Sequence, residues 1–148
     1  MIRLATRYDI PRLLEIVEAY SKEYPIKTLG NEQFHRPQYV EGLLFSIIKG
    51  RGFVLIDDHM KGALIAIRQN NIWCPSVLEL HELLWWVEPD SRNTTIGGKL
   101  WIEYDKIATK MLEDKVVDCV YTSVSANGPL INYIKRGYKA VGASFVKE

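Results

Sequence analysis

The chain has 148 residues, enough for one domain with a substantial core. Its hydrophobic fraction is 47% and its charged fraction 25%, both ordinary for a globular protein. A net charge of +1 argues against a nucleic-acid partner, and no apolar run approaches the ~18 residues of a membrane span.

The two cysteines, Cys74 and Cys119, lack metal-ligand spacing and predict a reduced, cytoplasmic setting. The opening residues have no apolar leader segment. No repeat or low-complexity stretch divides the sequence, so one domain over residues 1–148 is expected.

In chain order, residues 2–6 alternate as a short strand. Thr6 or Asp9 then caps a helix with Pro11 in its first turn, where a missing N–H does no harm. Ile10, Leu13, Leu14, Val17 and Tyr20 form its apolar face. Pro25 ends it, and residues 24–37 are irregular, with His35 and Arg36 before a second helix over 37–49. Residues 53–56 and 62–68 read as a β-hairpin. Asp57, Asp58 and His59 at its tip read as a solvated turn rather than a metal site. Asn70-Asn71 turns the chain again and Pro75 breaks a short extension. Residues 80–87 are an apolar, aromatic strand that Pro89-Asp90-Ser91 stops.

Ile96, Leu100, Trp101, Tyr104, Ile107, Ala108, Met111 and Leu112 then recur at helical spacing. Residues 116–124 predict an inner strand. Residues 125–129 open a short helix with Leu130, Ile131 and Ile134 inward and Gly137 as its stop. Residues 140–146 predict a last strand. The expected order is β-α-α-β-β-β-α-β-α-β, an α/β (α+β) fold with a mixed sheet.

Residues 78–100 organise the rest. A strand, a polar loop with glycines and a helix start together suit an anion. The first helical N–H groups lack partners, and the helix dipole adds about half a positive charge there. The loop has no G-x-x-x-x-G-K-[ST] and no G-x-G-x-x-G. A phosphate or pyrophosphate site and an ordinary tight β-to-α connection both remain open on these residues alone.

Val87, Pro89, Arg92, Ile96, Gly97 and Leu100 fit V-x-P-x-x-R-G-x-G-[IV]-[GA]-x-x-L, with Asn93 and Thr95 at its glycine positions. This stretch resembles the acetyl-CoA signature of GNAT-superfamily N-acetyltransferases. The opening Arg3-x-Ala5-Thr6-x-x-Asp9-Ile10-Pro11 is similar to the usual GNAT first strand and helix. Asn132-Tyr133-Ile134-Lys135-Arg136-Gly137-Tyr138 is similar to the GNAT ending [FY]-Y-x-K-x-G-[FY]. The family often has an Asn seven residues before the tyrosine that Tyr133 matches; here that position is Ala126, and Asn127 is one step late.

The resemblance runs over essentially the whole chain. It implies a GNAT-like mixed sheet of six to seven strands flanked by about four helices. It also implies transfer of an acetyl group from acetyl-CoA to a primary amine in a ternary complex, the acceptor being a small molecule or a protein. The cofactor-binding set it implies is Trp85, Trp86, Val87, Arg92, Asn93, Thr94, Thr95, Ile96, Gly97, Gly98 and Asn127, with backbone N–H groups on the diphosphate. An N–H of residues 85–87 would serve the developing oxyanion. Tyr133 takes the family's general-acid position.

The base is open between His81 and Glu82, which alternation places on opposite faces, with Glu79 on His81's face. A desolvated Glu82 can rise towards neutral pH and accept an amine proton. No metal, nucleic-acid or membrane partner is implied, and a monomer or homodimer is expected. A second expectation is a GNAT-fold protein without catalysis that binds or inhibits a macromolecular partner; Asn93 and Thr95 in place of glycine favour it.

Overall fold

Two neighbouring apolar runs build the middle of the sheet. In the structure, a computed structural model describing residues 1–125 and 131–148, they are β2 (Gly52–Asp57) and β3 (Gly62–Asn70). Both are buried through most of their length because helices cover both faces, so they read as continuous hydrophobic segments rather than alternating ones. With β1 (Ile2–Leu4), β4 (Leu78–Val87) and β5 (Cys119–Tyr121) they form one five-stranded sheet in sequence order. The first four strands are antiparallel to their neighbours, and β5 runs parallel to β4.

Helices α1 (Ile10–Glu23) and α2 (Pro37–Ser46) cover one face, where Leu13, Ile16 and Leu44 meet Val54, Ile56, Ile65, Leu84 and Trp86. Helix α3 (Ile96–Glu113) covers the other, where Leu100, Trp101 and Tyr104 meet Leu55, Leu64 and Leu80. The chain enters α1 through a capping box. The Thr6 N–H donates to Asp9 Oδ2 at 2.8 Å, and Arg3 grips both Asp9 oxygens at 2.8 and 2.9 Å. The Arg3 bonds hold the Asp9 carboxyl below its ordinary range.

No described helix is long and apolar enough to cross a membrane. The hairpin tip is a turn in which Asp57 Oδ2 accepts N–H bonds from His59 at 3.1 Å and Lys61 at 3.4 Å.

Several expected elements are corrected. Among the described residues there are five strands and three α-helices, not six to seven and about four. Strand β1 stops at Leu4, because Ala5 onward turns into the capping box. Helix α2 ends at Ser46, and its last turns widen into the bend at Gly50, whose φ of 149° the left-handed region reserves for glycine. Strand β5 spans only Cys119–Tyr121 rather than residues 116–124. The helix expected to open at residues 125–129 falls mostly on residues 126–130, outside the described ones, and beyond them only a single 3-10 turn, Ile134–Arg136, is regular. The expected strand over 140–146 is irregular, with Val141 and Phe145 exposed, because Gly142-Ala143-Ser144 have weak strand propensity and β5 ends too early to pair with it.

Gly52 is required by close approach of two strands. A Cβ there would lie 2.0 Å from the Ala66 carbonyl oxygen and 2.8 Å from Ile67 Cα, both backbone atoms. Gly52→Ala is expected to destabilise the fold by about 3 kcal/mol, the upper part of the overpacking range, read as a fall in the urea midpoint. An unchanged midpoint would show that β2 and β3 can separate there freely.

Candidate functional site

The site begins with a one-residue slip in β4. Opposite β4, Ile65 pairs with Leu84 but Ala66 pairs with Glu82, so Leu83 has no partner and forms a bulge. Because side chains alternate, the extra residue reverses the faces beyond it. Leu80 and, through its partner Ala66, Glu82 belong to the α3 face; after the slip Leu84 and Trp86 belong to the α1/α2 face and Val87 returns to the α3 face. His81 pairs with Ile67 and faces α1/α2, so His81 and Glu82 do lie on opposite faces.

β5 follows β4 only as far as the His81–Tyr121 pair. From Glu82 onward no described strand covers the outer edge of β4. The two chains part there, leaving two recesses.

The first is a cleft of about 440 Å³. Trp85, Trp86 and Val87 of β4, Arg92 and Thr94 of the following loop, and Gly97 and Gly98 of α3 line it, with Tyr20, Glu23 and Tyr24 from the end of α1 opposite. Ser125 and Ile131 complete it. The first seven are all residues that the sequence proposes for the cofactor. Asn93 and Thr95 lie in the same loop without lining the cleft, and Ile96 packs towards the α3 core. Asn127 lies outside the described residues.

Backbone geometry decides what this cleft can hold. Thr95 stands at the N-cap of α3 but makes no side-chain cap bond. The Thr94 N–H is used by Ser91 and the Lys99 N–H by Thr95, whereas those of Asn93, Thr95, Gly97 and Gly98 make no hydrogen bond among the described residues. Thr95 and Asn93 have ordinary negative-φ backbone, so this loop needs no glycine at either position. A Cβ on Gly98 would meet nothing within 4 Å. Trp85 fixes the helix start by donating from Nε1 to the Gly97 carbonyl at 3.0 Å. The Trp86 indole N–H is buried and has no partner among the described residues. Free amides, a helix dipole and open space suit an anion of diphosphate size.

Arg92 does not simply point its charge into the cleft. Its Nε donates to the Val87 carbonyl at 2.8 Å, and its guanidinium bonds Glu23 Oε2 at 2.6 Å.

The second recess, about 340 Å³, is lined by His81, Glu82, Tyr121, Thr122, Ser123 and the irregular residues 141–144. Burial pushes the Glu82 carboxyl up to about 7, against a weaker opposing hydrogen bond from Ser123 Oγ at 3.4 Å. His81 is committed differently: Glu79 Oε1 lies 3.0 Å from its Nε2, and its ring stacks on Tyr121 at 4.4 Å and 5°. Asn71 Nδ2 donates to the other Glu79 oxygen at 2.8 Å. The bonds from His81 and Asn71 hold the buried Glu79 carboxyl below its ordinary range, so it stays charged and paired.

Tyr133 packs edge-on to Trp101, with ring centres 5.6 Å apart, and its buried hydroxyl has no hydrogen-bond partner among the described residues. Burial and the nearby Glu82 charge both raise its pKa, so it carries its proton at neutral pH. Glu82 acts on Tyr20 and Tyr104 in the same direction, after burial.

Sequence reasoning missed Tyr20, Glu23 and Tyr24. Tyr20 reads as one more apolar contact of an amphipathic helix, and only the crossing of α1 over β4 carries it to the cleft.

Comparison with known proteins finds no matching protein-family model and no matching curated protein. Solved structures do match over the whole chain. A GCN5-related N-acetyltransferase from Ralstonia eutropha JMP134 superposes with a TM-score of 0.68 at 16% identity, covering 100% of this chain and 97% of that one. A Trypanosoma brucei acetyltransferase gives 0.65 at 14% identity, covering 100% and 98%. A transcriptional regulator from Bacillus halodurans C-125 gives 0.64 at 15% identity, covering 100% and 98%. The fold is therefore that of the GCN5-related N-acetyltransferases, at identities that leave the activity to the site itself.

Proposed function

We propose that this chain is an acetyl-CoA-dependent N-acetyltransferase acting on a primary amine. One observation carries the proposal: the parting of β4 from β5 leaves two recesses along one strand, one lined by Glu82, whose carboxyl burial raises to about 7, and the other by the β4–α3 loop with its unbonded amides.

Acetyl-CoA would supply an acetyl group already activated as a thioester. The N–H groups of Gly97 and Gly98 in the cleft, with those of Asn93 and Thr95 in the loop beside it, would hold its diphosphate, and the uncovered edge at residues 85–87 would hold the rest and donate an N–H to the reacting carbonyl. Fixing both reactants along one strand would remove much of the entropic cost of their encounter. Glu82 accepts the proton that an ammonium must lose before it can attack; a base near pKa 7 suits that task at neutral pH. Tyr133 keeps its proton at Oη and can give it to a departing thiolate. The acceptor would enter by the second recess, whose described lining has Glu82 and no Lys or Arg.

The burial of the Tyr133 hydroxyl, which has no partner among the described residues, also favours a second reading, in which the fold binds coenzyme A or a macromolecular partner without catalysis. An amine panel with thiol-release detection separates the two. Turnover with at least one amine is expected, and Tyr133→Phe should lower it by about 10²-fold. Unchanged turnover in that variant removes Tyr133 from the mechanism. Coenzyme A binding with no turnover on any amine would leave the second reading.

A further inference from the structure

The cleft that suits a diphosphate also contains a carboxylate. Among the described residues lining it, Arg92 is the one cation and Glu23 the one anion. They are joined: the Arg92 guanidinium donates to Glu23 Oε2 at 2.6 Å. Arg92 is held in this pose by its bond to the Val87 carbonyl and by the Trp86 ring, 5.8 Å from its guanidinium carbon. The pair bridges the end of α1 and the β4–α3 loop, which are 69 residues apart in sequence.

Resting on the diphosphate reading of the cleft, we propose that Glu23 is an internal competitor that occupies Arg92 until a diphosphate displaces it, and so sets which anions the cleft accepts. An anion of single charge that takes Arg92 from Glu23 exchanges one ion pair for another and gains little. A diphosphate has oxygens enough to engage Arg92 and the free amides of α3 together, so its exchange is favourable. The released Glu23 side chain is already 43% exposed and returns to water easily. Glu23 therefore weakens all anions, but removes small ones from competition.

Calorimetric titration of coenzyme A, and its displacement by inorganic phosphate, tests this on the wild type, Glu23→Gln, Arg92→Gln and the double variant, each checked by thermal melting. Glu23→Gln is expected to bind coenzyme A about three- to fivefold more tightly at low ionic strength, the scale of a half-exposed ion pair. It should also become more sensitive to phosphate. The gain should shrink in high salt and vanish in the Arg92→Gln background. Unchanged or weaker binding by Glu23→Gln overturns the proposal, as does an equal gain without Arg92. If neither the wild type nor Glu23→Gln binds coenzyme A, the diphosphate reading itself fails; if they bind equally, only the competitor does.

Discussion

Glu82→Gln is expected to slow acetyl transfer by about 10²–10⁴-fold while making the protein more stable at pH 8. Both effects follow from one environment. Glu82 occupies the recess between β4 and β5, and burial raises its carboxyl from the ordinary 4.5 to about 7. The folded state therefore holds a proton between those values that the unfolded state has lost. Stability is unaffected by Glu82 below about pH 4.5, falls as pH rises through that window, and is fully reduced above about 7. The full difference would be about 3 kcal/mol, and solvent contact at a partly exposed carboxylate brings it to about 1–2 kcal/mol.

Glutamine keeps the shape and removes the charge, so Tm at pH 8 should rise by about 3–6 °C. At pH 4 the two proteins should melt alike. The wild-type rate should rise with pH through an inflection near 7, and the residual rate of the variant should lack it. A variant that retains full activity, or a wild-type profile flat between pH 6 and 8, would transfer the base role away from Glu82.

Gly98→Asp should separate binding from folding in the same way. A Cβ there would meet no atom within 4 Å, so the backbone leaves room for a side chain. It replaces a poor helix former and puts a negative charge at the positive end of α3, each worth up to about 1 kcal/mol of stability. The same carboxylate competes for the amides of Gly97 and Gly98. Against a diphosphate about 5 Å away it would oppose binding by roughly 3 kcal/mol at a near-surface dielectric. Coenzyme A affinity is therefore expected to fall at least about 100-fold in a protein that melts no lower than the wild type. Gly98→Ser, which adds bulk without charge, should bind within about threefold of the wild type. Equal affinities for wild type and Gly98→Asp would mean that the start of α3 does not hold the anion.

How much was legible in the sequence depended on how local the cause was. The strand-loop-helix over residues 78–100 is set by a short apolar run, a proline stop and helical spacing, and its anion-binding property belongs to the backbone. Its place in the chain could therefore be read directly, but not that Asn93, Thr95 and Ile96 would stand off the cleft. The opposite faces of His81 and Glu82 follow from alternation before the bulge, and that too was readable. The bulge itself was not: nothing in His81-Glu82-Leu83-Leu84 says that Leu83 will go unpaired, because the slip is imposed by the register with β3.

The same holds for Glu79. On sequence it only shares a face with His81, whereas in the fold Asn71 and His81 engage both its oxygens. Glu23 and Tyr24 reach the cleft only through the crossing of α1. The expected strand at 140–146 failed for the converse reason. Its apolar residues suit a strand, but a strand needs a neighbour, and β5 ends before it can provide one.

With Asn93 and Thr95 at its two glycine positions, the β4–α3 loop is still expected to offer four free amides to a diphosphate. Backbone ¹⁵N NMR titration with coenzyme A reads those amides one by one. The account predicts saturable shifts at Asn93, Thr95, Gly97 and Gly98, with smaller ones along Trp85–Val87. Saturable shifts confined to other residues, or none in the 93–98 amides at millimolar ligand, would contradict it.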